Sequence, residues 1–150
     1  MSQDCAAEEI ADELLFKTGK ALIARDFGGF SACFGLPHVI DTQDARRVLK
    51  DTDDLRRVFD DVVRYYAEQA VVDVARTVIE AKFLDADTIG STHVARLMQA
   101  KGGVLRKPFP VYSILCRQGH LDWKVMSSVY AILDSKEHNA VLMSERVDDG

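Results

Sequence analysis

The chain is poor in most of the residues that announce a specialised chemistry. Its 150 residues include only three prolines, one tryptophan and three cysteines, Cys5, Cys33 and Cys116. An odd number of cysteines without metal-like spacing excludes a disulfide framework and fits a reducing cytoplasm. None has a base beside it in sequence, so each is read as a small hydrophobe rather than a nucleophile. No apolar run approaches the ~20 residues that span a bilayer. The first residues are acidic (Asp4, Glu8, Glu9) and carry no apolar signal core, so the expectation is a cytoplasmic chain that does not enter a membrane. A surplus of positive charge is also missing. The net charge of −5 argues against a general nucleic-acid surface, and Arg46-Arg47 and Arg56-Arg57, each followed by acidic residues, read as solvated faces. There is no His-Glu zinc pattern, glycine-rich phosphate loop or nucleophile elbow, so no metal, nucleotide or other cofactor is implied.

What remains is an ordinary globular composition, 47% hydrophobic and 29% charged, at a length suited to one domain over 1–150. Ile10, Leu14, Ala21 and Leu22, widened by Leu15, predict a helix from about Cys5 to Ala24. Asp26 can cap a second, short helix through Phe34 with Phe27, Phe30 and Phe34 on one face, although Gly28 and Gly29 each cost it about 1 kcal/mol. Pro37 ends helix, and His38 to Thr42 reads as a strand with a short partner from Arg46 to Leu49. A third helix, capped by Asp51 or Thr52, carries Leu55, Phe59, Val62 and Tyr66 on one side. Four strands follow: Val72–Asp85, Thr88–Lys101, and the two runs of a hairpin from Val111 to Asp134 that contains Trp123. Residues 135–150 are polar and are expected to fray. Helices first and an antiparallel meander afterwards define an α+β fold, three helices covering a strongly curved, mostly antiparallel sheet. Strands this long curl by twist and bulges into a cone.

The order and spacing of several short motifs resemble the nuclear transport factor 2-like superfamily, especially its SnoaL-like branch. The matching residues are Leu22-Ile23-Ala24-Arg25-Asp26-Phe27, then Cys33-Phe34 leading to Pro37-His38-Val39. The helix around Leu55 to Phe59 follows, and the hairpin from Gly119 to Asp134 with Trp123-Lys124-Val125 closes the match, which covers about residues 8–134. The resemblance implies a cone-shaped, cystatin-like α+β domain, an interior pocket at the open end, and frequent homodimerisation through the outer face of the sheet. It does not imply one reaction, because this fold hosts isomerases, dehydratases, epoxide hydrolases, polyketide cyclases and inert subunits. Ketosteroid isomerases of this superfamily use a tyrosine on the first helix and two carboxyl groups on strands. The corresponding positions here hold Thr18, Thr42 (with Asp41 beside it) and Tyr112 or Ser113, a departure that speaks against that chemistry.

Three residues are candidates for acid–base work. Asp41 lies in a strand and, if desolvated, would have a raised pKa suited to a general base; equally, it can face solvent on an edge strand. His93 also lies in a strand and can shuttle a proton near neutral pH, or serve as a hydrogen-bonded structural residue. Tyr112 opens a strand beside a proline-rich loop and can point its hydroxyl at the cavity mouth. Trp123 is read as structural. An apolar pocket is expected from Phe16, Phe30, Phe34, Phe59, Val62 and Tyr66. The leading expectation is a homodimeric, cofactor-free domain that binds a small apolar or ring-bearing molecule. The alternatives are a lyase or isomerase that uses Asp41 and His93 as an acid–base pair, and a non-catalytic scaffold.

Overall fold

Every third or fourth residue of the first helix, α1 (Gln3–Ala24), turns inward: Ala7, Ala11, Leu14, Thr18, Ala21 and Leu22 are buried. That spacing is the helical repeat, and two alanines at its start let the helix lie close to the sheet. The computed structural model describes residues 3–43, 45–132 and 136–143. After α1 the Asp26 carboxylate caps α2 (Phe27–Ser31) by accepting the amide of Gly29 at 3.0 Å. This helix stops at Ser31, short of the expected Phe34, which instead opens strand β1 (Phe34–Asp41). The aromatic cluster survives the change of element, since the Phe30 ring lies 4.5 Å from that of Phe34 and 4.9 Å from that of Phe59. A short β2 (Arg46–Leu49) pairs with β1, and Asp51 caps α3 (Thr52–Glu68), which buries Leu55, Val58, Phe59, Val62 and Tyr65.

Four long strands complete the sheet: β3 (Val71–Asp85), β4 (Thr88–Gln99), β5 (Phe109–Gly119) and β6 (Asp122–Tyr130). They form an antiparallel meander, β1 joins β6 in parallel, and the order across the sheet is β2-β1-β6-β5-β4-β3. Register shifts interrupt β3 at Val72, Ile79 and Leu84, β5 at Gln118 and β6 at Met126. Each inserts an unpaired residue and bends the strand, so the sheet curls around the helices.

Inner and outer faces separate cleanly. On β4, Ile89, Ser91, His93, Ala95 and Leu97 are buried, while Phe109, Val111, Ser113 and Leu115 alternate inward on β5. Residues 135–150 do not behave as the polar, frayed tail expected of them, as far as they are described. Lys136–Met143 form a helix, α4, whose Leu142, His138 and Asn139 are buried. The Asn139 side chain donates to the carbonyl of Ile132 at 2.8 Å, and the His138 ring packs 5.1 Å from that of Tyr65 and 5.6 Å from that of Phe109. A short polar stretch conceals this, because only a few of its side chains turn inward. No helix among the described residues is long and apolar enough to cross a membrane.

Candidate functional site

The concave face of the sheet and the helices enclose a cavity of about 100 Å³. Its walls are mostly apolar, from Leu14, Leu22, Phe30, Phe34, Val62 and Leu97, and α4 closes one side with His138 and Leu142. The space exists because several inward positions carry small side chains. Ser91 of β4 stands directly opposite Ser113 of β5, which stands opposite Ser128 of β6. Three adjacent strands thus present a row of serines where aliphatic residues would fill the interior. The hydroxyls of Ser113 and Ser128 lie 3.4 Å apart, and the buried Ser91 hydroxyl has no partner.

Around this row sit the titratable groups. His93 is 5% exposed and lines the cavity, where burial, reinforced by the positive charge of Arg76, holds its imidazole down to about 3. His38, 2% exposed, is held down to about 4 by burial, partly offset by its 3.2 Å hydrogen bond with the carbonyl of Val125. A carbonyl can only accept, so Nδ1 carries the proton of the neutral ring and Nε2 keeps its lone pair. Burial also pushes the phenols of Tyr66 and Tyr130 upward, so both stay protonated. Near neutral pH these groups are uncharged hydrogen-bonding partners.

Arg76 is the exception. It lies inward on β3, where it precedes Val78, the direct partner of His93. Its Nη2 donates to the carbonyl of Leu15 and the hydroxyl of Thr18, both at 2.5 Å, while its buried Nε has no partner. Desolvation lowers its pKa from the usual arginine value, yet a guanidinium stays charged.

The expected catalytic pair does not assemble. Asp41 aligns with the outward Val129, whereas its neighbour Ile40 aligns with the inward Ser128, so Asp41 and His93 lie on opposite faces of the sheet. The Asp41 carboxylate is instead held by Arg46 on the edge strand, at 2.8 Å. Tyr112 also points outward. It is 40% exposed and covers Gly90, where an added Cβ would collide with its hydroxyl. The side-chain period of two decides both cases: Asp41 is one residue from the inward Ile40, and Tyr112 one from Val111. His93 alone of the three reaches the interior.

Of the expected pocket residues, Phe30, Phe34, Val62 and Tyr66 line the cavity. Phe16 does not. It projects from the solvent side of α1, 70% exposed, beneath the Lys20 ammonium. Phe59 is buried one layer back, packed on Phe27 and Phe30. Sequence reasoning read His38 as a strand-entry residue only, and overlooked Arg76, Ser91, Ser128 and Tyr130. The available signal was polar residues at alternate positions of long strands, above all an arginine flanked two residues away by Val74 and Val78.

No family model matches the chain, and no curated protein matches it. Solved structures do. A domain of unknown function with a cystatin-like fold from Nostoc punctiforme superposes with a TM-score of 0.65 over 92% of this chain and 84% of its own, at 13% identity. A nuclear transport factor 2-like protein of unknown function from Shewanella oneidensis superposes at 0.62, covering 82% of this chain and 97% of its own at 11% identity. The chain has the nuclear transport factor 2-like, cystatin-like fold. A candidate ketosteroid isomerase from Shewanella frigidimarina shares that fold at a TM-score of 0.59, with 13% identity over 81% of this chain and 94% of its own. At such identities the likeness within the nuclear transport factor 2-like fold concerns architecture and says nothing of chemistry.

Proposed function

We propose that this chain is a small-molecule-binding domain of the SnoaL-like type, with its ligand held inside the cone. One observation carries the reading: an enclosed apolar cavity of about 100 Å³ crossed by the row Ser91, Ser113 and Ser128 beside His93. Few convergent polar groups on an apolar wall are the usual make-up of a ligand site. The volume suits a molecule smaller than benzene, which a cavity of about 150 Å³ accommodates. No carboxylate among the described residues lines the cavity, and with Asp41 outside it an acid–base lyase or isomerase mechanism through Asp41 and His93 has no geometric support. Three cysteines without metal-like spacing suit a cytoplasmic setting.

Ligand-observed NMR with small neutral cyclic fragments tests the reading. Binders should appear with wild type and vanish with Ser113→Leu, whose added bulk fills the centre of the serine row. An absence of binders, or equal binding to the filled variant, would sink it. Homodimerisation through the outer sheet face is favoured by one further observation. Val72, Ile79, Leu84, Tyr112 and Val129 are large hydrophobics exposed on strands β3, β5 and β6. Sedimentation should give a dimer that Ile79→Lys dissociates, and a wild-type monomer contradicts the pairing.

A further inference from the structure

Among the described residues, the cavity lining carries one permanent charge and no opposite charge to balance it. Arg76 lines the cavity, yet no Asp or Glu does, and no described residue forms an ion pair with its guanidinium. The two hydrogen bonds it makes both leave from Nη2 and both end on neutral oxygens, those of Leu15 and Thr18. Nε is desolvated without an acceptor, and Nη1 donates to no described residue. Arg76 is partly buried, and its fully desolvated Nε loses hydration that no described acceptor returns. An unsatisfied buried donor of this kind calls for a partner, for which a bound anion is one candidate.

Its position is that of a head-group clamp. An open groove beneath α1, lined by Asp12, Leu15, Phe16, Lys20 and Asp73, meets the cavity at Arg76, which borders both. Gly19 lies against the same guanidinium, and an added Cβ there would sit 3.0 Å from Nη2. On the cavity side its polar neighbours, Thr18, Ser91, His93 and Tyr130, are neutral hydrogen-bonding partners, while the acidic side chains of Asp12 and Asp73 lie on the groove side.

We infer that the cavity is built for a compact carboxylic acid, its carboxylate bound at Arg76 and its apolar part directed past His93 toward the serine row. This rests on the small-molecule reading above and adds the charge of the ligand to it. The guanidinium supplies a permanent positive charge for a carboxylate, and Nη1, which donates to no described residue, is the donor left to meet it.

Matched acid–amide pairs test the inference, because amide and carboxylate share a shape and differ in charge. Acetate and acetamide, and butanoate and butanamide, are titrated into wild type, Arg76→Met and Arg76→Lys, followed by amide chemical shifts that also report folding. Wild type should bind each acid at least about tenfold more tightly than its amide. Arg76→Met should bring that ratio to about one and retain amide binding, while Arg76→Lys should keep a preference for the acid. Equal affinity of acid and amide for wild type overturns the inference and leaves the small-molecule reading intact. An unchanged preference in folded Arg76→Met also overturns it, since the charge would then be read elsewhere. Neutral fragments that bind while neither acid does remove the inference alone; if nothing binds at all, both readings fall.

Discussion

His38 and His93 make the fold sensitive to mild acid. Both rings are buried, and both are held neutral, at about 4 for His38 and about 3 for His93. In the unfolded chain each titrates near the ordinary 6.5. Below that value the unfolded state takes up protons that the native state refuses, so stability falls as pH falls. The loss begins near pH 6.5 and continues until the native rings themselves protonate. Each pH unit within that window costs about 1.4 kcal/mol per ring. Between pH 7.5 and 5.0 the active interval is about 1.5 units, giving about 2 kcal/mol per ring and about 4 kcal/mol for the pair. For a chain of this size that corresponds to a drop in Tm of roughly 8–16 °C. Other groups titrate over the same range, so the informative quantity is a difference between two proteins. Thermal unfolding followed by circular dichroism is measured at both pH values for wild type and for His38→Gln/His93→Gln. The double variant has no imidazole at either site and should lose about 4 kcal/mol less than wild type on acidification. Equal losses in the two proteins would refute the reasoning, because the rings would then be charged or solvated in the native state.

Two further outcomes follow from the placement of residues. Leu142 of α4 is 4% exposed against the core, so Leu142→Ala should cost about 2–3 kcal/mol and lower Tm accordingly in calorimetry; an unchanged Tm means that α4 contributes no packing. Asp41 holds the exposed Arg46 at the sheet edge, so Asp41→Asn should move Tm by less than about 2 °C and leave fragment binding by NMR unaltered, whereas lost binding would return Asp41 to the site.

Much of the fold was legible because its signals are local. Leu55, Phe59 and Val62 keep a helical period, Asp51 supplies a cap, and β-branched runs mark strands bounded by Asp85–Asp87 and by glycines 102 and 103. The site was legible only in part, because it depends on which face each strand residue takes. His93 was found from its strand, but a one-residue offset carried Asp41 and Tyr112 to the outer surface. Phe16 failed for the same kind of reason, since the inward stripe of α1 runs through Leu14 and Thr18 and leaves residue 16 in solvent. The serine row cannot be seen along the chain at all. Ser91, Ser113 and Ser128 lie far apart in sequence and meet only through the pairing register of β4, β5 and β6. Helix α4 was hidden by its composition, because a helix held by Leu142, His138 and Asn139 needs few apolar residues.

The serine row also separates what the domain encloses from what holds it together. The three strands that carry it are held in register by backbone pairing, to which the serine hydroxyls do not belong. Exchanging a serine for alanine, valine or leucine would re-bore the interior without disturbing the ladder around it. Volume and polarity can then drift independently of architecture, which suits a frame shared by proteins only 11–13% identical to this one. In this fold the lining of the cone and the frame that carries it are separate variables.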